Sequence, residues 1–184
     1  MNAVNRGSEW NKWDLHYHVF GTHLNNQFGD DENGYLAEIE NSDILAFGIT
    51  DYWTASKQLE TIKKFKDKYP TSNKNFFVNV EFRLNQNVSS IPTGHVNVHL
   101  IFDNKLKPET IISFIDSLEL TSTHSNGTKT RISELENQSE YECASISLDE
   151  IMRNLKKHFG TDKPYLLGFA AGGLGGIRPL YQRK

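Results

Sequence analysis

The stretch Ile44-Leu45-Ala46-Phe47-Gly48-Ile49-Thr50 is an almost uninterrupted apolar run. A strand with one wet face alternates apolar and polar residues, so a run of this kind predicts a strand covered on both faces. Four further stretches read as strands: Lys12–His18, Phe76–Phe82, His95–Phe102 and Tyr165–Ala171. Helical patterns stand between most of them. Ala55–Tyr69 carries Leu59, Ile62, Phe65 and Tyr69 at helical spacing and stops at Pro70. Pro108–Leu118 carries Ile111, Ile112, Phe114, Ile115 and Leu118. Ser147 and Glu150 form a capping-box pattern ahead of Ile151, Met152, Leu155 and Phe159, with Gly160 as the C-cap. Leu36–Glu40 reads as a short helix, and residues 119–146, rich in Ser, Thr, Asn and Glu, as a polar loop or insertion. Strands alternating with helices predict an α/β fold with mainly parallel strands, either a barrel or a doubly wound sheet, in a single domain over residues 1–184.

The bulk numbers exclude some classes. With 184 residues, 37% hydrophobic and 11% aromatic, the chain can build a core. A formal charge of -3 is not the footprint of a protein that holds nucleic acid by bulk charge. One cysteine, Cys143, permits no internal disulfide, and the first residues lack an apolar signal segment. These features predict a cytoplasmic protein. No run approaches the roughly 18 apolar residues of a membrane span, so no membrane partner is expected.

The chemistry concentrates on strand positions. His16 and His18 lie two apart, so on a strand they share a face and can offer two imidazole nitrogens to one ion. Asp51 ends the second strand, where a carboxylate faces the rim or caps the next helix. In Phe76–Phe82, Phe77, Asn79 and Glu81 share one face, continued by Arg83, and Phe76, Val78, Val80 and Phe82 share the other. A carboxylate late in an apolar strand is costly unless paired or metal-bound. His95, Asn97 and His99 share a face of the fourth strand, with His99, later in the strand, expected nearer the C-terminal rim. His23 lies in a loop, within reach of a second ion. Gly172-Gly173-Leu174-Gly175-Gly176, followed by Arg178, is a candidate oxyanion cradle and clamp, without the ending of a P-loop.

Taken in order, strand-HxH, strand-Thr-Asp, strand-Glu and strand-His resembles the PHP (polymerase and histidinol phosphatase) superfamily. The residues that carry the resemblance are Asp14-Leu15-His16-Tyr17-His18, Gly48-Ile49-Thr50-Asp51-Tyr52, Glu81, and His99 or His95. The opening Gly7–His16 and the Thr50-Asp51-Tyr52 variant are most similar to PHP domains fused to SMC- or AAA-like ATPases, a group that includes bacterial anti-phage proteins. The resemblance implies an incomplete or distorted (β/α)7 barrel. It also implies hydrolysis of phosphate esters or nucleic-acid phosphodiesters, and ligands for two divalent ions (Zn, Mn or Fe). His16 and His18 would hold one ion and Glu81 would bridge two. His99 or His95 would complete the second site, and Asp51 would orient or touch metal. In such an enzyme Arg83, or Arg178 beyond the glycine-rich segment, would neutralise charge developing on the phosphate.

The chain departs from the family in three ways. Tyr52 stands where the family has histidine, the late Asp-x-His motif is absent, and five strands cannot close a seven-stranded barrel. The expectation is therefore a barrel whose C-terminal part is missing, with an open edge suited to another copy, an ATPase partner or a fused domain. The alternative to an enzyme is a non-catalytic interaction module that pairs with such a partner. An amidohydrolase-like barrel also begins with HxH but lacks its late aspartate here.

Overall fold

The computed structural model describes residues 11–24, 26–87 and 95–169. Its elements are β1 (Lys12–His18), α1 (Glu32–Asn41), β2 (Ile44–Tyr52), α2 (Ser56–Lys68), β3 (Asn75–Asn87), β4 (His95–Phe102) and α3 (Pro108–Asp116). Then come β5 (Glu119–Thr123), β6 (Lys129–Arg131), α4 (Gln138–Cys143), α5 (Leu148–Phe159) and β7 (Tyr165–Phe169). Five strands form one sheet in the order β1-β2-β3-β4-β7, and β5 and β6 form a separate hairpin.

The fold is α/β, as the apolar runs require, but the sheet is mixed. β1 with β2 and β2 with β3 pair parallel, whereas β4 pairs antiparallel with both β3 and β7. This corrects the expectation of mainly parallel strands. The reason lies in chain length: only residues 88–94 separate β3 from β4. A parallel return needs a crossover of about a dozen residues or more, so a short link dictates an antiparallel partner. Among the described residues the sheet does not close into a barrel.

Residues 119–146 are more ordered than a polar loop. They form the β5–β6 hairpin, a 3-10 turn at Ile132–Glu134 and α4. The hairpin turns at Asn126-Gly127, where Gly127 takes φ 83, and His124 and Thr128 pair across it. An Asn-Gly pair between β-branched threonines is a hairpin signal, masked here by strands too short to show a period of two.

Helix ends follow local chemistry. Ser147 Oγ accepts the Glu150 N–H at 3.1 Å, so Ser147 caps α5. The box is half made, because the Glu150 carboxylate turns instead to the Glu119 N–H and the Asn154 amide. Gly160 closes the helix at φ 59.

Strand alternation splits the sheet into two chemical faces. Phe47, Ile49, Phe76, Val78, Val80, Phe82, Val98, Leu100 and Phe102 are buried with residues from α1, α2, α3 and α5 in two apolar clusters. The opposite face carries Gly48, Thr50, Asn79, Glu81, Asn97 and His99, with exposed Trp13 and Leu166 at its margins. Gly48 is obligatory on that face: a Cβ there would collide with the Leu15 carbonyl of β1. Gly168, by contrast, faces open space. Gly48→Ala should therefore cost about 3 kcal/mol in urea unfolding, while Gly168→Ala should change stability by less than about 0.5 kcal/mol. Equal effects would contradict the close β1–β2 packing.

Candidate metal centre

The polar face brings four side chains from three strands to one place. β1 is irregular between Asp14 and Tyr17, where its register on β2 shifts, and the His16 N–H turns to the Asp14 carboxylate at 3.0 Å. Local breaks of this kind re-aim side chains. His16 and His18 present their Nε2 atoms to each other at 3.0 Å. Glu81 on β3 places Oε2 3.3 Å from His16 Nε2 and 3.4 Å from His18 Nε2. His99 on β4 is the register partner of Glu81, and its Nε2 lies 3.9 Å from Glu81 Oε1.

His99 reaches this place for a reason opposite to the one expected from sequence. β4 runs antiparallel to β3, so a later residue lies farther from the rim, not nearer. Pairing with Glu81 selects His99. His95, paired with Asn87, sits away from the group and hydrogen-bonds the Leu84 carbonyl through Nδ1 at 2.9 Å.

His16, Glu81 and His99 offer ligand atoms that all lie within 4.8 Å of one another, and this group can hold a metal ion. Two observations favour that use. Glu81 Oε2 and His99 Nε2 are buried without a hydrogen-bond partner of proper geometry, and buried polar atoms are seldom left so. In addition, metal–ligand bonds of about 2.0–2.1 Å in a tetrahedron separate the ligand atoms by about 3.3 Å. The separations of 3.0, 3.3 and 3.4 Å among His16, His18 and Glu81 bracket that value.

The electrostatics agree. Burial alone would push the Glu81 carboxyl up, but the His16 and His18 imidazoles facing it, with His99 close by, hold it well below the usual range. The facing carboxylate raises His16. Burial lowers His99 to about 4, so its ring is neutral and keeps a lone pair. Asn97, from the same face of β4, donates from Nδ2 to Glu81 Oε1 at 2.5 Å and leaves Oε2 directed at the histidines. Asn97 was not singled out as a site residue in the sequence. Its signal was an amide on the inward face of a buried strand.

The other expected residues are distributed around the rim. Tyr52 stacks on His18, with ring centroids 5.5 Å apart and planes at 25°. The Arg83 guanidinium lies 5.0 Å above the Tyr52 ring and donates to the Glu142 carbonyl of α4 at 3.0 Å. Asp51 alternates away from Thr50 and Tyr52, and its carboxylate accepts its neighbour's N–H, from Tyr52, at 2.8 Å. It is not one of the converging ligands. His23 is outside the group as well: it stacks on Tyr141 of α4, with centroids 4.4 Å apart and planes at 17°. The glycine-rich segment 172–176 and Arg178 lie outside the described residues. Among the described residues no helix is long and apolar enough to cross a membrane.

No model of a known protein family matches the chain, and no curated protein matches it.

Asp51 is almost fully buried, and burial pushes its carboxyl up to about 6, against partial relief from the Tyr52 N–H, His18 and Lys57. A folded value above the unfolded one favours folding below the unfolded value of 3.8, and that contribution is lost as pH rises through about 6. Asp51→Asn in chelator-treated protein should therefore gain up to about 3 kcal/mol in urea unfolding above pH 6, with the gain vanishing near pH 4. A gain that does not depend on pH would contradict the burial of an ionisable carboxylate here.

Proposed function

We propose that this chain is a PHP-type domain, with an incomplete or distorted (β/α)7 barrel, that hydrolyses phosphoester bonds with a divalent metal ion. The observation that carries the reading is the convergence of His16, His18, Glu81 and His99 on one face of the sheet, with two buried ligand atoms left unpaired. These side chains would hold the ion. When bound, such an ion supplies Lewis-acid polarisation of a phosphoryl oxygen and activation of a water.

The chain's own residues supply the rest. Asn97 fixes the Glu81 carboxylate, and Tyr52 holds the His18 ring by stacking. Arg83 is a positive charge at the rim, steadied by the Tyr52 ring and the Glu142 carbonyl, and suited to an anionic phosphate. The substrate class is a phosphate ester, nucleic-acid phosphodiesters included. A nuclease within an anti-phage system, a cytoplasmic setting, a second ion and an ATPase partner rest on the family resemblance alone.

The stacked Tyr52 also favours a second reading. It places a phenol against His18 where the family has a further ligand, so the domain would serve as a non-catalytic module that pairs with a partner. One experiment separates the two. Metal content is measured on protein purified without chelator or affinity histidines, and hydrolysis of mono- and diester phosphates is assayed with manganese and zinc. The enzyme reading predicts metal and activity in the wild type and neither in His16→Ala/His18→Ala. It also predicts that Arg83→Ala lowers kcat/KM about 100-fold with metal content unchanged. A metal-loaded wild type that hydrolyses no phosphoester leaves the interaction module as the better account.

A further inference from the structure

Asn79 stands on β3 two residues before Glu81, on the same face, and is 1% exposed. Its amide nitrogen lies 2.8 Å from the Leu15 carbonyl, 3.0 Å from Thr50 Oγ1 and 3.2 Å from His99 Nδ1. Leu15 belongs to the irregular stretch of β1 and immediately precedes His16. A single side chain thus touches the backbone that carries one ligand and the ring of another, although two strands stand between them in the sheet.

The donor count assigns the roles. A carboxamide nitrogen carries two hydrogens. A carbonyl only accepts, so Leu15 takes one. The Thr50 hydroxyl donates to the Gly48 carbonyl at 2.9 Å, so it and His99 Nδ1 stand as acceptors for the other. Donation from Asn79 to His99 Nδ1 requires that nitrogen to be unprotonated when no ion is present. With an ion on Nε2 the ring hydrogen belongs on Nδ1, and Asn79 Oδ1, buried without a partner, is the acceptor on the same side chain. Asparagine serves both tautomers. An apolar side chain serves neither, and aspartate cannot hold the Leu15 carbonyl.

We infer that Asn79 is a positioning residue, which ties the β1 irregularity to the His99 ring and so sets the spacing of the metal ligands. This inference rests on the metal reading above. The test is zinc affinity by competition with a chromophoric chelator, on Asn79→Leu and on Thr50→Val, with thermal melts to confirm folding. Thr50→Val removes a hydroxyl of the same network but leaves Leu15 and His99 in contact with Asn79. Asn79→Leu should weaken zinc binding about 10- to 100-fold, and Thr50→Val should stay within about threefold. Wild-type affinity in Asn79→Leu, or an equal loss in Thr50→Val, overturns the inference. Should Asn79→Leu not fold, the imidazole nitrogen-15 spectrum of the metal-free wild type decides. An unprotonated His99 Nδ1 supports the inference and a protonated one overturns it. A wild type that binds no zinc defeats the metal reading, and the same spectrum then tests the Asn79–His99 contact by itself.

Discussion

The Glu81 carboxylate is the constraint on which the rest of the structure depends. It is 2% exposed, in the middle of a sheet whose other face is packed with apolar side chains. An isolated buried carboxylate costs several kcal/mol, so the fold must surround it with groups that favour its charge. It does so with His16 and His18 from β1, His99 from β4 and the Asn97 amide. Each lies on a strand whose partners are fixed by the apolar face behind it. Core packing and the candidate centre are therefore two sides of one sheet: a slip of one residue in β3 would turn Val80 and Phe82 out of the core and remove Glu81, and one in β4 would do the same to Val98, Leu100 and His99.

The groups around Glu81 remain incompletely satisfied by protein. Glu81 Oε2, His99 Nε2 and His18 Nδ1 are buried without hydrogen-bond partners. A site built only for structure would fill these valences with donors and acceptors from neighbouring strands. The convergence of imidazole nitrogens on a carboxylate, with Glu81 Oε2 and His99 Nε2 left without hydrogen-bond partners, is the arrangement a cation completes.

Much of this was legible in the sequence. β1 and β4 match their expected limits, and the alternation in Phe76–Phe82 and His95–Phe102 placed Glu81 and His99 on a polar face correctly. The direction of β4 was not legible from apolar runs, which look alike in parallel and antiparallel buried strands. The length of the 88–94 link carried that information. His99 was chosen for its nearness to a rim, yet it is in place because it pairs with Glu81. Asn79 and Asn97 were placed on the polar faces but not taken as site residues, because motifs weigh ionisable residues. The physical signal was an uncharged amide where an apolar residue would pack, a substitution that only a polar network explains. His23 and Asp51 have ligand chemistry but not ligand position: one stacks on Tyr141, and the other points to the opposite face of its strand.

The most direct test of the account is an anomalous-difference map, recorded at the zinc edge, from crystals of the wild-type chain soaked with zinc. The account predicts a peak enclosed by His16 Nε2, His18 Nε2, His99 Nε2 and Glu81 on the polar face of the sheet. A peak held elsewhere on the chain, with these four side chains unengaged, would contradict it.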